Sequence, residues 1–157
     1  MSMQDFEAAC ELIRRHEELA DFEGPKPDEL LAKAEAAIGL SFPATYRAFL
    51  SKFGCGDIAG AEFYGIIKDN FEESGIPDAI WLTLDQRKSS ELPKFYILIG
   101  DSGNGGLYAI DCSVISVAEC PVVEWWAGAQ DQRTVAADFG DFFLRTVREA
   151  LHNRRLS

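Results

Sequence analysis

The sequence has few histidines and few cysteines. It contains only two histidines, His16 and His152, and its four cysteines include no Cys-x-x-Cys pair. The ligand spacing of a structural zinc site is therefore absent, and the Asp-x-Asp-x-Asp-Gly spacing of a calcium-binding loop does not occur either. We expect no bound metal and no cofactor. We also expect the cysteines to be free thiols that act as small buried hydrophobes, rather than parts of a disulfide framework.

Long hydrophobic runs are missing as well. No stretch approaches the ~20 apolar residues that a membrane span requires, and residues 1–6 lack the basic and apolar segments of a secretion signal. The chain has 157 residues, of which 47% are hydrophobic. This length suffices for one domain and is short for two. We therefore expect a single domain over residues 1–157, located in the cytoplasm and without a membrane partner.

Positive charge is scarce in the middle of the chain. The formal net charge is -11, and residues 57–124 hold 12 of the 26 acidic residues but only 4 of the 15 basic ones. Such a field repels phosphate backbones, so we expect no direct binding of nucleic acid. It would attract a basic protein partner and speed its association. The alternative is that the acidic surface only keeps the protein soluble.

Three helices are predicted in the first third of the chain. An amphipathic pattern covers residues 3–20, and Pro27 and Pro43 are placed to open the second and third helices. Gly39 is placed to end the second helix in a left-handed conformation, and Gly54 to end the third.

Short apolar runs predict strands farther along the chain. Residues 95–100 and 106–110 are typical of an antiparallel hairpin, because the loop between them is rich in residues that tolerate positive φ. Further strands are predicted over residues 62–67 and 121–126. The run 134–136 is either a strand or the approach to the last helix.

Two more helices complete the prediction. Residues 76–88 favour a helix over an extended segment, and the last helix begins after an Asp138 N-cap with an apolar face of phenylalanines. N-terminal helices, a central mostly antiparallel sheet and a C-terminal helix packed on it make an α+β domain.

Residues 100–103 read Gly-Asp-Ser-Gly, the tetrapeptide found around the nucleophile of chymotrypsin-like proteases. A serine nucleophile needs a nearby histidine, and neither predicted position of a histidine supplies one. The same glycines precede a strand rather than a helix, which argues against a phosphate-binding loop. We expect no catalytic residue. A hydrolase acting through Ser102 or Cys55 is the remote alternative.

Two further groups of residues are candidates for binding. Asp69, Glu72, Glu73 and Asp78 lie in polar sequence, where we expect solvated carboxylates of ordinary pKa. Trp125 and Trp126 are adjacent on a predicted strand, so their side chains point to opposite faces. One ring would then be exposed beside an acidic surface, as in an interaction hot spot. The alternative is that both rings are buried.

Residues 38–54 read as a helix ending in Ile-Gly, then Phe-Pro, Tyr-Arg and Phe-Leu before a glycine-containing loop. This block resembles the signature of the SUKH superfamily, named for a fungal cell-wall-synthesis regulator and its bacterial relatives. The later segments follow the same order and are similar to the bacterial YobK-type antitoxins, so that the resemblance spans about residues 27–152. Cys55 and Asp57 depart from the pattern. The positions that the resemblance marks as structural are Gly39, Pro43, Tyr46, Arg47, Phe49, Leu50, Gly54, Gly105, Gly106 and Trp125.

The resemblance implies a non-catalytic immunity protein, which binds and neutralises a polymorphic toxin, commonly a nuclease. Combined with the charge distribution, it leads us to expect that acidic side chains cover a basic cleft of the toxin. The candidate contacts are Asp69, Glu72, Glu73, Asp101 and Trp126. We expect a monomer or a weak homodimer. The alternative is a regulatory scaffold that binds cell-wall-assembly proteins, like the fungal relatives.

Overall fold

The protein folds into five α-helices and seven strands within the part of the chain that the structure describes. The structure is a computed structural model and describes residues 2–114, 118–129 and 131–156. The helices are α1 (Ser2–Arg15), α2 (Asp28–Ile38), α3 (Ala44–Phe53), α4 (Ala79–Ser89) and α5 (Phe139–Leu156). The strands are β1 (Ala20–Phe22), β2 (Gly56–Ile58), β3 (Ala61–Phe63), β4 (Tyr96–Asp101), β5 (Leu107–Asp111), β6 (Val122–Trp125) and β7 (Arg133–Ala136). Short 3-10 turns cover Glu17–Leu19 and Phe71–Glu73.

The strands form two antiparallel sheets. One has the order β1-β2-β3 and the other the order β4-β5-β6-β7. The two sheets meet where the backbone N–H of Tyr64, just after β3, donates to the carbonyl of Ile99 on β4 at 2.9 Å. The predicted α+β class, with a C-terminal helix packed on antiparallel strands, is confirmed.

The four-stranded sheet is covered on both faces. Alternate side chains of a strand point to opposite sides of a sheet, and each set here has its own apolar layer. Ile97, Ile99, Ile110 and Val122 pack into the main core with α5, whereas Leu98, Ala109, Val123 and Trp125 pack with α4 residues. This double cover explains why β4 reads as a continuous apolar run.

Helices α1 and α5 lie side by side and run in the same direction. The backbone at Gly140 approaches Ser2 so closely that an added Cβ would come within 2.2 Å of the Ser2 carbonyl. Farther along, the rings of Phe6 and Phe143 stack at 5.7 Å. At the far end His16 and His152 line the same small cavity. The C-termini of both helices therefore meet at one end of the molecule.

A cluster of aromatic rings joins the helices to both sheets. Phe49 is fully buried, and its ring centroid lies 5.4 Å from those of Phe139 and Phe143 and 5.9 Å from that of Phe63. Such offset and edge-to-face contacts add to the stabilisation that burial itself provides. The cluster also contains Phe6, Phe22, Phe42, Tyr46, Phe53, Tyr108 and Phe142.

The predicted ends of the second and third helices are confirmed. Gly39 caps α2 with φ 71°, and Gly54 follows α3 with φ 73°. Pro43 differs slightly, since it is the N-cap of α3 and not its first helical residue. Pro27 is likewise the N-cap of α2, and both prolines have an extended ψ directly before the first helical residue.

Several predicted bounds were wrong. The first helix ends at Arg15 and not at residue 20, because residues 20–22 pair with β2 instead. Strands β1 and β2 were not predicted, and β3 covers only Ala61–Phe63. The predicted helix at 76–88 begins at Ala79. The run at 134–136 belongs to a strand, β7.

Candidate partner-binding groove

An acidic groove of about 560 Å³ lies between α4 and residues 69–73, with Ala37 of α2 at its side. The 3-10 turn at residues 71–73 lies alongside it. Its lining consists of Ala37, Asp69, Asn70, Phe71, Glu72, Glu73, Trp81, Leu84, Asp85 and Lys88. Asp69, Glu72 and Glu73 were predicted as partner contacts from the charge distribution, and the structure brings these three together.

Helix α4 supplies one wall of the groove. Trp81, Leu84, Asp85 and Lys88 have the spacing i, i+3, i+4 and i+7, which places them along one helical face. The opposite face carries the buried residues Ala79, Ile80, Leu82 and Thr83. The helix is thus held by one face while the other lines the groove.

The N-terminus of α4 is fixed by Asp78. Its carboxylate Oδ1 accepts hydrogen bonds from the backbone N–H groups of Ile80 and Trp81, each at 2.9 Å. Asp78 is fully buried, so the expectation of a solvated carboxylate was wrong at this position. Burial raises the pKa of Asp78, although hydrogen bonds from Trp81, Ser74 and Ile80 oppose the rise. The cause of the error is that an N-cap looks like any polar loop residue in sequence.

The other wall is anchored by an aromatic side chain. Phe71 is buried in the core, with 7% of its surface exposed, while its neighbours Glu72 and Glu73 are exposed. Burial of one residue of the turn therefore directs the next two carboxylates to solvent. Asp69 forms an exposed ion pair with Lys33 of α2 at 3.5 Å, which contributes little stability in water.

The groove combines strong negative charge with an aromatic surface. Four carboxylates line it against the single ammonium of Lys88, and Trp81 is partly exposed beside them. Tryptophan is the residue type most enriched at energetic hot spots of interfaces, and a lining of one charge sign steers a partner of the other. Trp81 and Asp85 were not predicted as site residues. Their position four residues apart in a predicted helix was the signal available.

The remaining predicted contacts, Asp101 and Trp126, lie elsewhere. Neither is among the described residues that line the groove. Asp101 is the last residue of β4 and accepts a hydrogen bond from the Gly103 N–H at 2.7 Å, whereas Trp126 follows β6. Trp126 Nε1 donates to the Asn104 carbonyl at 3.3 Å. A Cβ added at Gly106 would approach Trp126 Nε1 to 2.8 Å, so the glycine lets this ring lie against the hairpin.

A buried carboxylate supports the same hairpin. Glu124 on β6 is fully buried and accepts hydrogen bonds from Arg133 at 2.6 Å and from Asn104 at 3.3 Å. Burial raises the pKa of Glu124, but hydrogen bonds from Ser102, Asn104 and Arg133 outweigh it and lower the pKa overall. This network fixes the loop between β4 and β5 against β6. The Ser102 hydroxyl oxygen accepts from the Asn104 N–H at 3.3 Å.

The positions that the family resemblance marks lie mainly in the interior and at turns. Tyr46, Phe49 and Leu50 are fully buried, and the Tyr46 hydroxyl donates to the Tyr64 carbonyl at 2.9 Å. Arg47 forms an ion pair at 2.6 Å with Glu35, whose other oxygen accepts from the Phe42 N–H. The remaining marked residues are the caps Gly39, Pro43 and Gly54, the hairpin glycines Gly105 and Gly106, and buried Trp125.

Candidate nucleophiles lack the surroundings that would activate them. Ser102 lies in the hairpin turn, while His16 and His152 lie together at the far ends of α1 and α5. Burial raises the pKa of the Cys55 thiol to about 11, with Glu23 adding to the rise, so this thiol is protonated at neutral pH.

Neither a metal-binding cluster nor a membrane-spanning helix is present among the described residues. No group of three or more His, Cys, Asp or Glu residues there could hold a metal ion. No helix in those segments is both long and apolar enough to cross a bilayer.

A model of a known protein family matches most of this chain, including the motifs of residues 38–54. The family model SUKH_5, described as SMI1-KNR4 cell-wall, matches residues 6–148. The match begins before the motif-bearing segment and so includes most of α1 as well as the groove, the hairpin and the aromatic core. The chain therefore belongs to the SUKH superfamily, in its SMI1-KNR4 family.

Proposed function

We propose that this protein is a non-catalytic immunity protein, which binds a toxin and neutralises it. The observation that carries the proposal is the groove, where three carboxylates of residues 69–73 and Asp85 of α4 lie around the partly exposed Trp81. The proposed target is a nuclease toxin with a basic active-site cleft. We place its action in the cytoplasm.

The chemistry of a nuclease explains why such a groove would fit. A nuclease holds phosphates with Lys and Arg side chains, and carboxylates can satisfy the same cations. Long-range attraction would steer the two surfaces together, and Trp81 would supply a large apolar contact that a phosphate backbone lacks. The same negative field disfavours binding of nucleic acid by this protein itself.

Neutralisation by this route needs no reaction. The toxin is blocked because its cleft is filled or capped, and the side chains of the groove need only stay where the fold puts them. Asp69, Glu72, Glu73 and Asp85 are the proposed charged contacts, with Trp81 as the apolar one. Asp101 and Trp126 form a second, separate candidate surface on the hairpin.

The test uses two matched charge-reversal variants. Glu72 and Glu73 are adjacent, exposed and part of a 3-10 turn; Glu17 and Glu18 share all three properties away from the groove. Replacing either pair by lysines changes the net charge equally. The wild-type protein and both variants serve as bait for lysate and secreted proteins, and a retained protein is assayed for nuclease activity with and without the bait protein.

We expect retention of a protein with a basic nuclease domain, and loss of its activity at stoichiometric amounts of this chain. The Glu72→Lys, Glu73→Lys variant should weaken binding about tenfold or more, which corresponds to roughly 1.4 kcal/mol. The Glu17→Lys, Glu18→Lys variant should change it by less than about threefold. Equal weakening by both variants would refute the groove as the contact. A retained nuclease that stays fully active would refute neutralisation.

The family description favours one further candidate, because it names the cell wall. In that case the protein is a regulatory scaffold that binds proteins of cell-wall assembly. Retention of envelope-assembly proteins and of no toxin would support this function over immunity.

A further inference from the structure

Two of the four cysteines lie opposite each other at one end of the large sheet. In the β5–β6 ladder Ile110 pairs with Val122, and the Asp111 N–H donates to the Pro121 carbonyl at 2.9 Å. Continuing this antiparallel register by one residue on each strand places Cys112 opposite Cys120. Their sequence separation alone did not indicate this pairing.

The register also defines the type of cross-strand position. Hydrogen-bonded and non-hydrogen-bonded pairs alternate along an antiparallel ladder, and the bond between residues 111 and 121 makes the next pair a non-hydrogen-bonded one. The Cα atoms of such a pair are about 4.5 Å apart, which falls within the range of ~4.4–6.8 Å found for disulfides. Both cysteines are free thiols.

The pair is buried but not sealed. Each cysteine exposes 5% of its surface. Both line a cavity of about 350 Å³ that is also bordered by exposed Val114 and Ala118 and by the Phe42–Pro43 turn before α3. A small thiol reagent could therefore reach the sulfur atoms by way of this cavity.

We propose that Cys112 and Cys120 are a redox-sensitive pair, which forms an intramolecular disulfide by exchange with a low-molecular-weight disulfide such as glutathione disulfide. One cysteine sulfur attacks the small disulfide, which forms a mixed disulfide and releases one small thiol. The second cysteine sulfur then attacks the protein sulfur and releases the other small thiol. The protein loses two S–H bonds and gains one S–S bond, and the two protons and two electrons are carried away on the two small thiols.

The environment sets the rate and the consequence of this step. Burial raises the pKa of both thiols, so the attacking thiolate is scarce at neutral pH and oxidation should be slow, accelerating as pH rises. The bond would tie together the ends of residues 112–120. Within that segment the Ala118 carbonyl accepts from the Ala44 N–H, and Glu119 binds Thr45 at 2.8 Å, so the start of α3 would be held more firmly.

The experiment equilibrates the full chain in glutathione buffers of increasing oxidised fraction, starting from both reduced and oxidised protein. Samples are quenched in acid, unfolded and alkylated, and the mass of the intact chain and of its peptides is measured. We expect a species with two alkylated cysteines, Cys10 and Cys55, and a peptide joining Cys112 to Cys120. Its melting temperature should exceed that of the reduced protein by about 5–10 °C.

Two variants and one reference state control the result. The Cys10→Ser, Cys55→Ser variant should form the disulfide as readily as the wild type, whereas Cys112→Ser should stop at a mixed disulfide. The equilibrium constant should fall at least tenfold in denaturant, because the unfolded chain no longer holds the thiols together. The proposal is wrong if four alkylated cysteines persist from both starting points, if Cys10 or Cys55 enters the bond, or if the folded and unfolded constants agree.

Discussion

A row of three carboxylates crosses the sheet β1-β2-β3, and their mutual repulsion should destabilise the folded protein. The register pairs Asp21 with Asp57, and Asp57 with Glu62. Directly opposite residues of an antiparallel sheet point to the same face with Cβ atoms about 4.5–5.5 Å apart. Like charges in such positions repel each other, and Asp57 has such a neighbour on each side. We therefore predict that Asp57→Asn stabilises the protein at neutral pH.

The size of the effect follows from the spacing. Two unit charges about 5 Å apart in water repel by roughly 0.8 kcal/mol, and cross-strand pairs typically contribute about 0.2–1 kcal/mol. Asp21 and Glu62 are exposed, whereas Asp57 is partly buried, so salt should screen much of the repulsion. We expect a gain of about 1 kcal/mol in the free energy of unfolding at low salt, equivalent to a rise of about 2–4 °C in melting temperature.

The pH dependence has a definite sign. Burial, together with the charge of Asp21, raises the pKa of Asp57 above its usual value of 3.8. A carboxylate with a raised pKa binds its proton more tightly in the folded state than in the unfolded state. The bound proton therefore stabilises the fold at low pH, and this stabilisation is lost as pH rises through the folded pKa. The advantage of Asp57→Asn should therefore be full at pH 7 and vanish near pH 3. Urea denaturation at both pH values, in low and high salt, measures it.

A double-mutant cycle separates repulsion from any other effect of the substitution. If the reasoning is right, Asp57→Asn should gain clearly less in a chain that already carries Asp21→Asn, because the stronger neighbour is gone. Two results would refute it: an Asp57→Asn protein no more stable than wild type at pH 7 in low salt, or an equal gain in both backgrounds.

Three further predictions concern stability, each measured by urea denaturation. Arg133→Ala should lower the free energy of unfolding by about 1–2 kcal/mol at pH 7, because it leaves the fully buried Glu124 with neutral donors only. Since the pKa of Glu124 is lowered in the folded protein, this loss should disappear as pH falls through the folded pKa. A loss that is unchanged near pH 3 would contradict the assignment. Tyr46→Phe should cost about 1–2 kcal/mol by leaving a buried carbonyl without its donor, and a neutral result would show that the carbonyl finds another. Gly54→Ala should cost at least about 2 kcal/mol, since its Cβ would lie 2.8 Å from a backbone carbonyl, whereas Gly39→Ala, with open space around it, should cost only about 1 kcal/mol.

Local signals explain which parts of the fold could be predicted. Helices α2 and α3 were found because Gly39, Pro43 and Gly54 mark their ends through backbone conformation, which depends on few neighbours. The β4–β5 hairpin was found for a similar reason. Strands β1 and β2 have three residues each, too few for an alternating pattern, and they exist because they pair with each other. That pairing is a long-range fact which local sequence does not contain.

The candidate groove was predicted only in part. Charge indicated Asp69, Glu72 and Glu73, but it does not tell which acidic residues share a surface, and Asp101 does not line the groove with them. Trp81 was not predicted as a site residue because α4 packs on the sheet with one face and lines the groove with the other. Both faces of such a helix carry apolar residues, and the amphipathic pattern that would identify the exposed face is then weak.

Basic residues gather at the end of the molecule where α1 and α5 end. The C-termini of α1 and α5 meet at one end, where their negative dipole ends add, and the basic residues there offset them. Arg148 and Arg155 lie at this end with His16 and His152, and none of these residues lines the groove. Glu17 and Glu18 follow α1 directly, and lysines at these positions would extend the basic end. They should therefore leave the dissociation rate of a groove-bound partner unchanged and reduce only its association rate at low salt, whereas lysines at Glu72 and Glu73 should change both rates.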